Sequence, residues 1–143
     1  MQTQHRLSKV IAFGLTLTIL ALATANKVET ASAGSGVLDG KKFVGLTGEK
    51  GKKVHHEDVL SFNDGKFTSS SCFKYGFQSG LYTATIEGDS IHFQAETISP
   101  THGKLLWQGT LKGDTLDVTY TWTKERWLWT TFREYWFKGS LER

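Results

Sequence analysis

Residues 104–123, KLLWQGTLKGDTLDVTYTWT, decide the fold that the sequence predicts. After residue 115, apolar and polar side chains alternate, which is typical of a β-strand with one buried and one wet face. The apolar members are Leu116, Val118, Tyr120 and Trp122. Lys112-Gly113-Asp114 has the composition of a tight turn. The preceding arm places Leu105, Trp107 and Leu111 on one face, so the stretch predicts a β-hairpin.

Further hairpins repeat along the chain. Asn63-Asp64-Gly65 is a strong hairpin signal, and TIEGDSI at 85–91 recurs 25 residues later as TLKGDTL at 110–116. Hairpins at this interval, with no helical period between them, favour an antiparallel meander. Eight strands are about the number at which such a sheet closes into a small barrel, and closure removes exposed edges. We therefore predict an all-β, up-and-down barrel of about eight strands over residues 34–143.

The connections between the predicted strands fall into two kinds. The first, third and final strands are predicted at 37–47, at 66–71 and from about 131 to 141. Tight turns follow the second, fourth and sixth strands, whereas longer segments at 48–53, 72–80, 98–103 and 124–130 follow the odd ones. Alternate connections of an up-and-down barrel lie at the same end, so the long loops should ring one mouth. Binding residues tend to lie on loops held by a rigid scaffold, which makes this mouth the predicted functional end.

The first 33 residues predict a signal peptide and a lead-in. Arg6 and Lys9 precede an apolar run at 10–23, and small residues follow it, as in a secretory leader. Cleavage could follow Ala25 or Ala33, and the sequence does not decide between them. The run is too short for a comfortable membrane span. We expect a bacterial periplasmic or secreted protein with no stable membrane anchor after cleavage.

Charge and motifs exclude several classes of function. Residues 1–33 hold three of the 17 Lys and Arg residues and one of the 14 Asp and Glu residues, which leaves 14 basic and 13 acidic side chains. A nearly neutral chain gives no electrostatic reason to expect nucleic acid. The motifs of serine hydrolases, zinc proteases, dithiol oxidoreductases and phosphate loops are missing from the sequence. We predict a non-enzymatic protein without a cofactor. Cys72 is the single cysteine, so it is either a free thiol or part of an intermolecular bridge, and a partly buried thiol is the favoured interpretation.

A resemblance follows from this layout. Short strands, loops sorted by length and the entry Gly40-Lys41-Lys42-Phe43 resemble a lipocalin-like (calycin-type) barrel. Lipocalins carry Gly-x-Trp on the first strand, whereas here Lys42 stands at the Trp position and the aromatic residue, Phe43, follows one residue later. That resemblance implies a small apolar ligand, although a fold alone does not define a function. The pattern FKYGF, YTAT and EYWFKG is also similar to uncharacterised exported bacterial proteins, a likeness that brings no activity with it.

Aromatic residues on the predicted mouth loops form the candidate ligand site. Its members are Phe73, Tyr75, Phe77, Arg126, Trp127 and Trp129. Such rings could cap an apolar ligand, contact another protein, or fold inward and plug the barrel. Large rings are also expected inside: Phe43, Phe62, Tyr82, Phe93, Trp107, Tyr120, Trp122 and Phe137. So many interior rings indicate little spare room.

A second candidate site is a metal centre. His55-His56-Glu57-Asp58 is the densest group of possible ligands. Neighbouring strand residues point to opposite faces, so His56 and Asp58 could share one face, and His102 from a mouth loop could complete the set. A polar rim at the start of the strand explains the same residues without a metal.

Two hypotheses compete for the function. The first is an exported barrel that holds a small apolar or aromatic molecule at its mouth. The second is an interaction module, such as an inhibitor or envelope assembly factor, with a filled interior and a protein partner in the envelope. An empty apolar pocket above about 300 Å³ would favour the ligand hypothesis.

Overall fold

The computed structural model describes residues 29–31, by their backbone, and 36–143. The predicted signal peptide and lead-in at 1–33 lie outside the described residues, apart from the short strand at 29–31. That strand precedes one of the two predicted cleavage sites. Cleavage after Ala25 would keep it in the mature chain, and cleavage after Ala33 would remove it.

The described residues form an all-β fold with nine strands and one short 3-10 helix at Ser70–Tyr75. The strands are β1 (Glu29–Ala31), β2 (Lys42–Glu49), β3 (His55–Asn63), β4 (Lys66–Ser69), β5 (Gly80–Glu87), β6 (Ser90–Ser99), β7 (Gly103–Lys112), β8 (Thr115–Glu125) and β9 (Thr130–Leu141). Within the described residues, no helix has the length and apolar character needed to span a membrane.

Strands β2 to β9 form a closed antiparallel barrel. Each pairs with its neighbour in the chain, and β9 returns to pair with β2. The shortest strand of the barrel, β4, pairs with only the first two residues of β5, and β1 pairs with β5 further along, at Ala84 to Ile86. The predicted eight-stranded meander that closes into a barrel is confirmed.

The seam between β2 and β9 depends on two glycines that face each other. Gly45 pairs directly with Gly139. A Cβ atom on Gly45 would lie 2.1 Å from the carbonyl oxygen of Lys138, so any side chain there would push the two strands apart. A glycine within a strand often marks such a close backbone approach.

The two ends of the barrel differ as the loop lengths predict. Asp64 and Gly65 both have positive φ, as in a type I′ turn, whereas the turns at 88–89 and 113–114 have positive φ only at their glycine, as in type II′. These three turns lie at one end, which we call the closed end. The segments 50–54, 70–79, 100–102 and 126–129 lie at the other end, and we call them the mouth loops.

Two predicted strand boundaries are wrong. The first long strand begins at Lys42 rather than at residue 37, because residues 37–40 form a turn in which Leu38 is fully buried. Asp39 holds this turn in place by accepting hydrogen bonds from the Gly65 amide (3.0 Å) and the Tyr82 hydroxyl (2.8 Å). The strand predicted at 66–71 ends at Ser69, where the chain enters the 3-10 helix.

Aromatic rings fill the closed half of the barrel. Phe62 lies 5.0–5.2 Å, centroid to centroid, from the rings of Phe67, Tyr82 and Phe93. Trp107 stacks on Tyr120 at 4.0 Å, and Tyr120 stacks on Tyr135 at 5.1 Å, so a column of rings leads toward the mouth. The eight rings predicted inside are all buried except Trp122, which is half-buried near the mouth.

The buried turn at the closed end predicts a large effect of truncating Leu38. Leu38→Ala should lower the free energy of unfolding by about 2–5 kcal/mol, because it leaves a cavity in a packed core. Leu81→Ala is the matched control, since Leu81 is 61 % exposed on the outer wall and should cost less than about 1 kcal/mol. Urea unfolding followed by tryptophan fluorescence measures both. Equal losses of unfolding free energy for the two variants would contradict the burial of Leu38 at the closed end.

The raised pKa of Tyr82 predicts a loss of folding stability at alkaline pH. Burial, with the hydrogen bond and charge of Asp39, raises its pKa from 10.0 to about 12. Below pH 10 the folded and unfolded states both keep the proton. As pH rises from 10 toward 12, the unfolded state loses the proton first, so stability falls.

Tyr82→Phe isolates this contribution. It should be less stable than the wild type by about 1–2 kcal/mol at pH 8, because it loses buried hydrogen bonds. The difference should shrink between pH 10 and 12, since the variant has no phenol to ionise at this position. Denaturant unfolding across that range measures it, and a constant difference would refute the assignment.

Candidate functional site

A cavity of about 340 Å³ opens at the mouth, above the column of rings. Mostly apolar and aromatic side chains line it: Cys72, Tyr75, Phe77, Leu105, Tyr120, Trp122 and Tyr135. The polar lining residues are His56, Ser71, His102 and Arg133. An apolar cavity with a few converging polar groups is the usual form of a small-molecule site.

A larger depression of about 690 Å³ lies on the outer wall. It crosses strands β5 to β9, and most of its lining side chains are the polar, outward-facing ones, such as Thr83, Gln94, Gln108 and Thr119. The wet face of a barrel is expected to look like this. We therefore take the smaller but apolar mouth cavity as the candidate site.

Asp58 organises one wall of the cavity. Its carboxylate is buried and accepts hydrogen bonds from the Val59 amide (2.7 Å), the Ser71 amide (2.8 Å) and the hydroxyls of Ser69 (2.6 Å) and Ser70 (3.0 Å). Bonds to an ionised acceptor are stronger than neutral ones. They hold the start of the 3-10 helix against β3, which places Ser71 and Cys72 in the cavity wall.

Ser99 joins two of the mouth loops. Its buried hydroxyl donates to the carbonyl of Tyr75 (2.7 Å) and accepts from the amides of Thr101 (3.3 Å) and His102 (3.0 Å). The indole N–H of Trp122 donates to the carbonyl of His102 at 2.6 Å. These bonds connect the segment 70–79 to the segment 100–102, and the latter to β8, so they fix the part of the wall that carries Tyr75 and Trp122.

Tyr120 forms the floor of the cavity. Thr47 donates its hydroxyl proton to the carbonyl of Trp136 (2.7 Å), so the Tyr120 hydroxyl must donate to Thr47 (2.6 Å). Burial raises the pKa of Tyr120, and it also raises the pKa of Tyr135, with the Glu49 carboxylate contributing. Both phenols therefore stay neutral at physiological pH and offer the cavity a polar atom without charge.

The cavity has one permanent positive charge and one thiol. Arg133 lines it and pairs with Glu49 at 3.2 Å, with half of its side chain exposed. Cys72 is 9 % exposed, and burial raises the pKa of its thiol above the ordinary value. The thiol is protonated at neutral pH, so it contributes a small apolar surface rather than a nucleophile.

Only part of the predicted ligand set lines the cavity. Tyr75 and Phe77 do, and Phe77 is buried. Phe73, Trp127 and Trp129 lie outside it with 54 %, 90 % and 58 % of their surface exposed. Arg126 also lies outside, with its guanidinium 6.0 Å from the centre of the Trp129 ring.

The predicted metal set is not brought together. Asp58 is occupied by its four hydrogen-bond donors, and only His56 and His102 line the cavity. His55 points away from the cavity, bonds the carbonyl of Lys53 at 3.1 Å and lies 6.4 Å from the Trp136 ring. Among the described residues, no group of three or more His, Cys, Asp or Glu side chains is placed to hold a metal ion.

Sequence reasoning missed several lining residues, of which Arg133 and Tyr135 are the most informative. Alternation along β9 places Arg133, Tyr135 and Phe137 on one face. The same alternation already predicts Tyr135 on the face of Phe137, and extending it one step further back would have added Arg133. Ser71 and Leu105 carry no comparable signal for a binding site, because small or apolar residues of this kind are common in any barrel.

Comparison with known proteins identifies no relative of this chain. No family model, no curated protein and no solved structure matches the chain. The closed eight-stranded antiparallel barrel is compatible with a lipocalin-like barrel, and this compatibility concerns the fold alone.

The network around Asp58 predicts how the cavity wall responds to mutation. Asp58→Ala should lower the free energy of unfolding by about 3 kcal/mol or more, because it removes several bonds to a buried carboxylate. It should also speed the reaction of Cys72 with a thiol reagent, since Cys72 follows the freed segment. Glu57→Ala, the exposed neighbour on the opposite face, is the control and should change neither quantity. A free energy of unfolding and a Cys72 labelling rate equal to those of Glu57→Ala would contradict the role of Asp58.

Proposed function

We propose that this protein is an exported, non-enzymatic binding barrel that holds a small apolar or aromatic molecule in the mouth cavity. The observation that carries the proposal is the cavity of about 340 Å³, lined mainly by apolar and aromatic side chains, at the end where the mouth loops meet. The export component rests on the leader-like sequence at 10–23.

The volume sets the size of the ligand. At about 30 Å³ per water molecule, the cavity would hold roughly ten waters, and it lies at the lower end of the usual range for ligand sites. Rings below it occupy the closed half, so a ligand would enter from the mouth and extend no deeper than Tyr120. A small molecule, rather than a long acyl chain, fits this depth.

The walls indicate the chemistry of the ligand. Tyr75 from the segment 70–79, and Trp122 and Tyr135 from the paired strands β8 and β9, present rings to the cavity. Aromatic pairs gain about 0.5–1.5 kcal/mol beyond the buried area. The polar groups at its edge, His56, His102 and Arg133, are donors or potential cations. A ligand with an aromatic or apolar body and a polar or acidic group at one end would match both features.

The fold is suited to this role because the scaffold and the site are separate. The closed half contains the packed rings that stabilise the barrel, whereas the cavity lies among loops held by Asp58 and Ser99. A preformed cavity lowers the cost of ordering side chains on binding. These features support a lipocalin-like mode of binding, which we include in the proposal.

The test uses fluorescence and the single cysteine together. Trp122 lines the cavity, so a bound ligand should quench or shift tryptophan emission, and it should also slow the reaction of Cys72 with a thiol reagent. We expect both signals to saturate at the same concentration with 1-anilinonaphthalene-8-sulfonate or with members of a panel of small aromatic acids and short fatty acids.

A blocking variant makes the test specific to the cavity. Ser71→Phe should weaken binding by at least about tenfold, equivalent to 1.4 kcal/mol, because the ring occupies the cavity while the Ser71 amide still bonds Asp58. Thr83→Phe, on the exposed outer wall, is the control and should bind normally. Absence of saturable signals across the panel, or equal binding by both variants, would refute the proposal.

A further inference from the structure

The mouth loops carry a one-sided charge. The segments 50–54, 70–79, 100–102 and 126–129 contain five Lys or Arg residues and no Asp or Glu. The cations are Lys50, Lys52, Lys53, Lys74 and Arg126. The three tight turns of the closed end, at 64–65, 88–89 and 113–114, each contain an aspartate and no cation. The mouth is therefore a cationic end, whereas at the closed end Lys112 pairs with Asp89 and Arg143 pairs with Asp114.

Ion pairs neutralise only part of the cationic end. Lys50 pairs with Glu134 at 3.1 Å, and Arg133, behind the loops, pairs with Glu49 at 3.2 Å. The ion pairs found among the described residues do not include Lys52, Lys53, Lys74 or Arg126. At physiological ionic strength charges act over about 8 Å, so the loops rather than the whole barrel determine what this end attracts.

The same loops expose apolar side chains. The described residues include twelve large hydrophobic side chains that are exposed, and six of them lie on the mouth loops: Val54, Phe73, Tyr75, Trp127, Leu128 and Trp129. The hairpin tip at 126–129 is the extreme case, with Trp127 90 % exposed and Leu128 68 % exposed. Phe132, just behind this tip, is 61 % exposed. Single exposed apolar residues are normal, but a cluster marks an interaction surface.

We infer that the mouth end docks onto the surface of an anionic lipid bilayer, with Trp127, Leu128 and Trp129 inserted at the level of the lipid head groups. Tryptophan prefers this interface because its ring is apolar and its N–H is polar. The surrounding cations match the negative potential of acidic lipids. Apolar insertion and electrostatic attraction together are what peripheral membrane binding needs.

The composition of the surface favours a bilayer over a protein partner. Lysine is depleted at protein–protein interfaces, whose centre is largely free of charge. Here Lys52 and Lys53 adjoin the exposed Val54, and Lys74 stands between Phe73 and Tyr75. Lysines interleaved with apolar side chains cost little at a bilayer surface, where the ammonium groups meet lipid phosphates while the rings insert. This inference does not depend on the proposed ligand.

The test is co-sedimentation of the chain, after removal of its predicted signal peptide, with vesicles of two compositions. We expect binding to phosphatidylcholine vesicles that contain about one-third phosphatidylglycerol, weaker binding to phosphatidylcholine alone, and a loss of binding as salt is raised. Tryptophan emission should shift to shorter wavelength on the anionic vesicles. No binding to either composition would overturn the inference.

Matched variants locate the contact. Trp127→Ala with Trp129→Ala should weaken binding by about tenfold or more, and Lys52→Gln with Lys53→Gln by about 25-fold, or fivefold for each charge. The controls are Leu81→Ala with Leu106→Ala on the outer wall, and Lys66→Gln with Lys112→Gln at the closed end. The substituted tip residues are exposed, so melting temperatures should not change.

The other outcomes are equally informative. If the controls weaken vesicle binding as much as the mouth variants, the mouth is not the contact and the inference is wrong. If vesicles do not bind, but a purified envelope protein binds in a manner that Trp127→Ala abolishes, the surface serves a protein partner and the inference is again overturned. Ligand binding in the cavity, measured without vesicles, is expected to be unaffected by the tip variants, so the two proposals can fail separately.

Discussion

The seam between β2 and β9 is the constraint on which the rest of the structure depends. It joins the first and last strands of the barrel over seven residue pairs, from Phe43 opposite Leu141 to Glu49 opposite Tyr135. The direct pairing of Gly45 with Gly139 allows the backbones to meet. Without this closure both strands would be exposed edges, which are prone to pair with other chains. Closure also brings Arg133 and Tyr135 of β9 to the mouth.

The barrel divides into a packed half and a half that contains the cavity. At the closed end, the connections are tight turns, and the segment around Leu38 covers the interior. The aromatic rings beneath it pack against one another. At the mouth, the connections are longer and fold around their own hydrogen-bond centres, Asp58 and Ser99. Asp58 fixes the start of the 3-10 helix to β3, and Ser99 fixes the segment 70–79 to the segment 100–102, so the cavity wall is held in place.

The mouth also has an inner and an outer chemistry. Aromatic side chains of the 3-10 segment turn inward at Phe77 and stay at the cavity edge at Tyr75. The hairpin that joins β8 to β9 extends its rings away from the barrel, closed by a bond from the Arg126 amide to the Trp129 carbonyl (2.9 Å). One set of rings is therefore available to a molecule inside the mouth, and the other to a surface outside it.

The sequence by itself determined the class of fold, the number of strands in the barrel and the ends to which turns and loops belong. The alternation at 115–122 and the turns at Asp64-Gly65, Gly88 and Gly113 are local signals. Each favours its strand or turn independently of contacts with distant parts of the chain. Only the tertiary structure decided that Leu38 is buried at the closed end, and that Trp127 lies outside the cavity while Phe77 lines it. These positions depend on contacts between segments far apart in the chain, such as Asp39 with Gly65 and Asp58 with Ser71. Local periodicity carries no information about such contacts, because the direction of a side chain within a loop depends on the hydrogen bonds that the loop makes to other segments.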